Sequence, residues 1–296
     1  ILSLPMTWVV SQQFQADAED IMNVAAGGTG SQLETSGGKV RASGTFTFVS
    51  GIVFYYCFTV SFLLYGYLQK GVFARWLLYL GTSATLLAMV TAGSRAVIAE
   101  CLQVVACIGF LAYFKPNEFG KIATATFAFS AVSMLVYYQV DLFKEGLDFL
   151  ILRFDEAANV EGTPIEAYFN RYFQILAAPY HYSFFTDLFG SGLGTATRAG
   201  AALGGGYGGA EVSWARPILE NGMVFGSLFI LWRIWITKDL LFTCIRAIKR
   251  GSYLGIFLFG AAGPILLFGL LGQPTNLGFT AFGSGLCLAA AISQKK

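Results

Sequence analysis

Apolar runs of about twenty residues recur along the chain, and they constrain its fold more than any other feature. A helix needs about twenty mostly apolar residues to cross the roughly 30 Å hydrocarbon core of a bilayer. Hydrophobic residues make up 55% of the chain and charged residues only 12%, far from the profile of a soluble domain. The sequence therefore predicts an all-α integral membrane protein with about seven transmembrane helices, at residues 46–68, 72–92, 96–114, 121–140, 217–236, 253–271 and 276–292.

The charge of the connections between these runs predicts their orientation. Lysine and arginine gather in alternate short connections, which contain Lys70, Lys115 and Arg250 among others. Because cytoplasmic loops are enriched in these two residues, the basic connections are predicted to lie inside and the others outside. The predicted organisation is an outer loop (1–45), a four-helix transmembrane segment (46–140), a large outer loop (141–216) and a three-helix C-terminal transmembrane segment (217–296).

The first residues are apolar but lack the basic segment and cleavage site of a signal peptide. We expect the chain to be a fragment of a larger bundle, with Leu2–Val10 the end of one helix. Residues 11–45 are polar and rich in glycine and serine, which is typical of an aqueous loop.

The large outer loop contains a helix signal of a second kind. Tyr168, Phe169 and Tyr172 belong to a set of apolar side chains between residues 165 and 176 that recur at helical spacing. This pattern predicts an amphipathic helix that lies on the outer surface of the bilayer or caps the spans. His181 follows between two tyrosines, and it is either a general base or an interfacial anchor.

Three arginines are predicted to meet at the outer face. Arg41 precedes the first span, Arg95 lies at the junction of two spans, and Arg216 begins the fifth. A guanidinium offers a fixed fork that matches phosphate oxygens, so the three together favour a diphosphate site. Taken singly, each is explained as well by snorkelling or by pairing with a nearby acid. Glu100 follows Arg95 by five residues, a helical spacing that turns the two side chains apart, so Glu100 is predicted to face another span.

Two carboxylates accompany Arg216. Glu220 stands four residues after it, a spacing that favours a local ion pair on a helix. Glu211 lies upstream of that helix, before Trp214, and is available either for chemistry or for pairing with Arg216. The glycine-rich run Gly190–Gly209 contains GSGLG but lacks the lysine and the strand–helix context of a nucleotide-binding loop. We expect it to border a substrate cleft.

Several classes of function are disfavoured by composition. One histidine and five cysteines without ligand spacing argue against a metal enzyme, so no metal and no cofactor are expected. The chain also lacks a basic arm, and no nucleic-acid partner is expected.

Short motifs occur in an order that resembles a known family. They are Arg41-Ala42-Ser43-Gly44-Thr45-Phe46, Gly93-Ser94-Arg95-Ala96, Arg153-Phe154, Arg171, Gly190-Ser191-Gly192-Leu193-Gly194-Thr195, and then Glu211, Trp214, Arg216, Glu220 and Gly222. In this order, over about residues 38–235, they resemble the O-antigen polymerase and O-antigen ligase-like family of bacterial polysaccharide-assembly membrane proteins.

The resemblance implies a GT-C-like, metal-independent glycosyltransferase in the bacterial inner membrane, with its active site facing the periplasm. Such enzymes move a glycan from an undecaprenyl-diphosphate carrier to an acceptor glycan, and a chain-length regulator protein is a further expected partner. The site it implies has Glu211, Arg216 and Arg95 as catalytic residues and Arg41, Arg171, Glu220, Trp214 and His181 as substrate-binding residues. Glu211 is predicted to be the base that accepts the proton of the acceptor hydroxyl.

Three alternatives to a polymerase stay open. Ligases of the family carry a histidine where this chain has Glu211, so ligase-type transfer is less favoured than polymerisation of repeat units. A polysaccharide or solute transporter would be expected to show internal repeats or paired broken helices, and none is evident in the sequence. A non-catalytic assembly subunit is the third alternative.

Overall fold

Helices form the framework of the chain. The computed structural model describes residues 2–16, 39–69, 71–163, 188–195 and 214–293, together with 166, 169, 170, 173 and 200. Within this part, the α-helices are α1 (Ser3–Gln15), α2 (Val49–Leu68), α3 (Arg75–Thr91), α4 (Arg95–Phe114), α5 (Phe119–Gln139), α6 (Asp141–Glu161), α7 (Ala215–Lys249), α8 (Leu254–Phe268) and α9 (Pro274–Ile292), and a 3-10 turn (Pro116–Glu118) precedes α5.

Each of the seven predicted apolar runs overlaps one of these helices, but the helices differ in whether they are long and apolar enough to cross a bilayer. Within the described residues, α2, α4 and α9 are long and apolar enough to do so. α3 has only 17 residues and α8 only 15, and α7 is broken within its 35 residues. The structure thus supports a helical membrane protein with three candidate spans, whereas seven spans and a GT-C-like fold stay predictions.

The main core is built from α2, α4, α7, α8 and α9. α8 packs against both α2 and α4, which also contact each other, and it accepts a hydrogen bond of 2.9 Å from Ser61 Oγ at the Phe257 carbonyl and one of 3.0 Å from Gln103 Nε2 at the Gly260 carbonyl. Gly260 permits this close packing, since a Cβ there would lie 2.7 Å from Cys107 Sγ. Small residues at helix contacts are typical of membrane bundles.

These hydrogen bonds also fix which helix ends lie together. α2 and α4 are parallel, because their N-terminal turns line one cavity and Cys57 contacts Cys101 farther along, and α8 is antiparallel to both. Counting from either bond, the N-terminal turns of α2 and α4 are level with Phe268 at the end of α8. We call this end of the bundle, where the first turns of α2 and α4 and the last turn of α8 lie, the N-terminal end of α2.

A second layer consists of α1, α3, α5 and α6. Thr7 of α1 donates to the Ala84 carbonyl of α3 at 3.0 Å. α6 packs on α3 and α5 through a small cluster of Val90, Val136, Phe143 and Leu150.

Two boundaries predicted from sequence need correction. The aqueous loop was expected from residue 11, but α1 continues to Gln15 and buries Phe14 completely. The large loop was expected from residue 141, but α6 occupies its first 21 residues. Both helices form because apolar side chains recur on one face and are covered by α3. The amphipathic helix predicted for residues 165–176 lies mostly outside the described residues.

Candidate functional site

The turn before α2 holds Arg41 in a fixed position. Gly44 adopts φ +63°, and the side-chain amide of Gln13 closes on its backbone with hydrogen bonds of 2.9 and 2.8 Å. A Cβ at Gly44 would lie 2.8 Å from Met6 Sδ and 2.9 Å from Ile52 Cδ1. The turn therefore requires glycine for both its conformation and its packing.

The junction of α3 and α4 is equally tight. Gly93 has φ +59°, and a Cβ there would lie 2.9 Å from the ring of Phe149 on α6. Arg95 is the first residue of α4. Arg153 stands one turn beyond Phe149, so the contact that closes this junction also brings a second guanidinium towards it.

A cavity of about 270 Å³ lies between the two turns. We call this cavity the arginine pocket. Its polar lining residues are Arg41, Ser50, Ser94, Arg95, Glu100 and Arg153. Its apolar lining residues are Val49, Val53, Phe54, Gly93 and Ala96. Three guanidiniums and one carboxylate leave a net formal charge of +2. The pocket also lies at the N-termini of two helices, α2 and α4, where free N–H groups carry partial positive charge. This arrangement is suited to bind an anion with about two negative charges.

Two of these arginines, Arg41 and Arg153, are not fully compensated by other groups in the described part of the chain. Burial, and then the charge of Arg153, lower the pKa of Arg41 below its ordinary value. The Nε atoms of both residues and the hydroxyl of Ser50 are buried without a hydrogen-bond partner. Arg153 does contact Glu156 at 3.3 Å. An anion between the two guanidiniums would satisfy these donors and offset the repulsion.

Arg216, Glu220 and Trp214 form a separate cluster at the same end of the bundle. Arg216 Nε donates to Glu220 at 3.0 Å, the ion pair that the spacing predicts. Trp214 Nε1 donates to the Leu267 carbonyl at 2.9 Å, and its ring stacks on Phe268. Trp214 therefore anchors the start of α7 near the end of α8, and Arg216, which pairs within α7, is not among the residues that line the arginine pocket.

The glycine-rich motif has a structural explanation. α7 is broken at Gly222, which has φ 75° and ψ 175°. Residues 188–195 pack into this break, where the amides of Ser191 and Gly192 donate to the carbonyls of Leu219 and Glu220 at 3.0 Å each. The motif thus satisfies backbone acceptors that the broken helix leaves free. We expected it to border a cleft through flexible backbone, and the rest of the run lies largely outside the described residues.

The structure brings together only some of the predicted site residues. Arg41 and Arg95 share the arginine pocket, and Arg153, not Arg216, is the third guanidinium beside them. Glu211, Arg171 and His181 lie outside the described residues. In the sequence, Arg153 stood out only as part of a family-like motif. Its spacing gives no indication of a contact with Arg41, so it was not predicted to be a site residue.

Arg233 interrupts an apolar run, and no role was predicted for it from the sequence. It is 1% exposed, and it donates from Nε to the Leu266 carbonyl and from Nη2 to the Gly269 carbonyl, both at 2.8 Å. These carbonyls end α8 and need donors. Arg233 is therefore a structural residue that ties α7 to α8.

Within the described residues no three histidine, cysteine, aspartate or glutamate side chains come together as metal ligands would. Comparison of the chain with family models, curated proteins and solved structures finds no match. The resemblance to polysaccharide-assembly proteins therefore remains an expectation, and the interpretation of the site rests on its geometry.

Proposed function

We propose that the chain is a membrane glycosyltransferase of the O-antigen polymerase type. It polymerises undecaprenyl-diphosphate-linked oligosaccharide repeat units at the periplasmic face of the bacterial inner membrane. The observation that supports this proposal is the convergence of Arg41, Arg95 and Arg153 on one pocket at the N-terminal end of α2.

The charge and size of the pocket fit a diphosphate. A glycan-linked lipid diphosphate carries two negative charges, which the pocket's formal charge of +2 balances. Its volume of about 270 Å³ is roughly nine times the share of one liquid water molecule, enough for two phosphate groups. As the glycosidic bond breaks, further negative charge develops on the diphosphate, and guanidiniums already in place stabilise it without reorganisation.

The remaining predicted residues are assigned more loosely. Arg216, with Glu220 and Trp214, lies at the same end of the bundle and is proposed to contact the acceptor glycan or the carrier. The roles of Arg171 and His181 in substrate binding, and of Glu211 as a base, stay predictions, as does a chain-length regulator as partner.

The test is complementation of a bacterial strain that lacks its own copy of the gene. The wild-type chain is expected to restore a ladder of polymer lengths on a gel. Arg41→Ala and Arg95→Ala should remove most of it, because hydrogen bonds to a charged group contribute about 1.5–3 kcal/mol each, or roughly a 10- to 150-fold loss. Lysine at either position should restore only part, since it lacks the fork.

Arg250→Ala provides the matched control. Arg250 is exposed at the far end of α7 and donates only within that helix, to the Arg246 carbonyl, so its loss should leave the ladder unchanged. A normal ladder in both Arg41→Ala and Arg95→Ala, with protein levels in the membrane equal to wild type, would contradict the proposal.

The same strain separates the alternatives. Loss of a polymerase leaves single repeat units on the lipid carrier, whereas loss of a ligase leaves complete polymers on it. Loss of a transporter leaves the lipid-linked units on the cytoplasmic side, where an impermeant glycosidase does not reach them.

A further inference from the structure

We propose that Glu100 is the general base of this reaction, the carboxylate that accepts the proton of the acceptor hydroxyl. The inference rests on the proposed function. It departs from the sequence prediction, which gave this role to Glu211.

Glu100 lies on α4 and lines the arginine pocket together with Arg41, Arg95 and Arg153. The side chain is only partly exposed to solvent. In such surroundings a carboxylate is expected to pair with a guanidinium. Yet none of the ion pairs formed within the described part of the chain includes Glu100. Its oxygens therefore remain available to a group that enters the pocket.

The other lining groups are poor proton acceptors. The other charged groups that line the pocket are Arg41 from the turn before α2, Arg95 from the same helix as Glu100 and Arg153 from α6. Guanidiniums hold their protons at any physiological pH and serve only as donors. From α2 the pocket receives the hydroxyl of Ser50, and the thiol of Cys57 lies nearby, against Cys101. Among the described lining residues, Glu100 is thus the one group that can act as a base.

The reaction then balances within one pocket. The acceptor hydroxyl oxygen attacks the anomeric carbon of the lipid-linked glycan and forms the new glycosidic bond. The bond between that carbon and the diphosphate oxygen breaks, and its electron pair leaves with the diphosphate, held by the guanidiniums. The hydroxyl proton passes to Glu100, which returns it to water after the products leave. A general base of this kind contributes about 10²–10⁴-fold in rate.

A simpler role for Glu100 is to reduce repulsion among the arginines, and the two roles predict different outcomes. A base sets the rate of turnover, so its removal lowers kcat and abolishes the fall in rate at acid pH. A neutralising carboxylate affects binding alone. Its removal would tighten the binding of an anion and leave kcat unchanged.

The experiment uses the full-length chain in detergent with lipid-linked single repeat units extracted from the deletion strain. Glu100→Gln, Glu100→Asp and Glu211→Gln are compared by elongation rate as a function of pH, with rates normalised to folded protein measured by gel filtration. Binding of inorganic diphosphate is measured separately by calorimetry. We expect Glu100→Gln to lower kcat by about 10²–10⁴-fold. The variant should also lose the fall in elongation rate at acid pH and should still bind diphosphate. Glu100→Asp should keep the fall in rate at acid pH at a reduced maximal rate, and Glu211→Gln, whatever its maximal rate, should keep that fall as well.

A near-normal kcat in Glu100→Gln would overturn the assignment of Glu100 as the base, and more so if Glu211→Gln lost kcat instead. Either result would leave the proposed glycosyltransferase function standing. A fall in elongation rate at acid pH that persists in Glu100→Gln would overturn the assignment of Glu100 as well. A wild-type chain that does not elongate the extracted lipid would instead refute the proposed function, and the role of Glu100 with it.

Discussion

The break in α7 offers the sharpest test of the structure, through the substitution Gly222→Ala. Gly222 has φ 75° and ψ 175°, a region that only glycine occupies readily, and an L-residue there costs about 1–3 kcal/mol. An alanine Cβ would also meet the backbone of Leu188 and Gly190. Backbone cannot rotate away as a side chain does, so residues 188–195 would have to separate from α7.

The free-energy cost of that separation includes the hydrogen bonds that it breaks. The amides of Ser191 and Gly192 give up their hydrogen bonds to α7, each worth about 0.5–1.5 kcal/mol net. Wild type and variant both lose these bonds on opening, so the change comes from the strain of about 1–3 kcal/mol, and the clash, in the closed form of the variant. If opening relieves them, the open form should become at least about 5-fold more populated.

Limited proteolysis measures this opening. Phe189 is 77% exposed and is a chymotrypsin site within the docked segment, so Gly222→Ala should accelerate cleavage there by at least about 5-fold. Gly285→Ala is the control, because a Cβ at this α9 position meets nothing within 4 Å and should be neutral or slightly stabilising. Equal cleavage rates in the two variants would refute the reasoning.

Three further predictions concern the folded bundle and its orientation. Gly93→Ala should cost about 1–2 kcal/mol for its left-handed backbone, besides the clash with Phe149, and reduce elongation; normal activity and melting temperature would contradict the structure of the α3–α4 junction. Arg233→Met should leave two α8 carbonyls without donors, at about 1–3 kcal/mol each, and lower the yield of folded protein measured by gel filtration, whereas a wild-type yield would show that these bonds are dispensable. An impermeant thiol reagent added to intact cells should label Asp155→Cys and not Lys249→Cys. The background should be low because the five native cysteines are buried. The reverse labelling pattern would invert the predicted topology.

The helices themselves could be predicted from the sequence, because an apolar run of sufficient length has few other stable forms. α6 was missed because its charged residues suggested a loop. The apolar face that carries Phe143, Leu147 and Leu150 is readable at helical spacing in retrospect. Its partner α3 could not be inferred, since packing between distant segments leaves no trace in the spacing of either one.

The arginine pocket shows the same limit. Arg41 and Arg95 were predicted to share a face from their positions at span ends, which is local information. The spacing of Arg95 and Glu100 places their Cβ directions about 140° apart, and this spacing suggested that Glu100 faces another helix. The same spacing did not indicate that the pocket curves around the first turns of α4 and so includes both. Arg153 enters only through the contact of α6 with the α3–α4 junction.

The walls of the arginine pocket belong to helices that pack in two different hydrophobic clusters. Val53 and Phe54 are part of the extensive core around α8, whereas Arg153 is carried by α6, which rests on a cluster with only four buried residues. A small displacement of α6 would withdraw one unit of positive charge from the cavity while the larger core stayed intact. The charge of the pocket, and with it any affinity for a dianion, is therefore coupled to the packing of a peripheral helix.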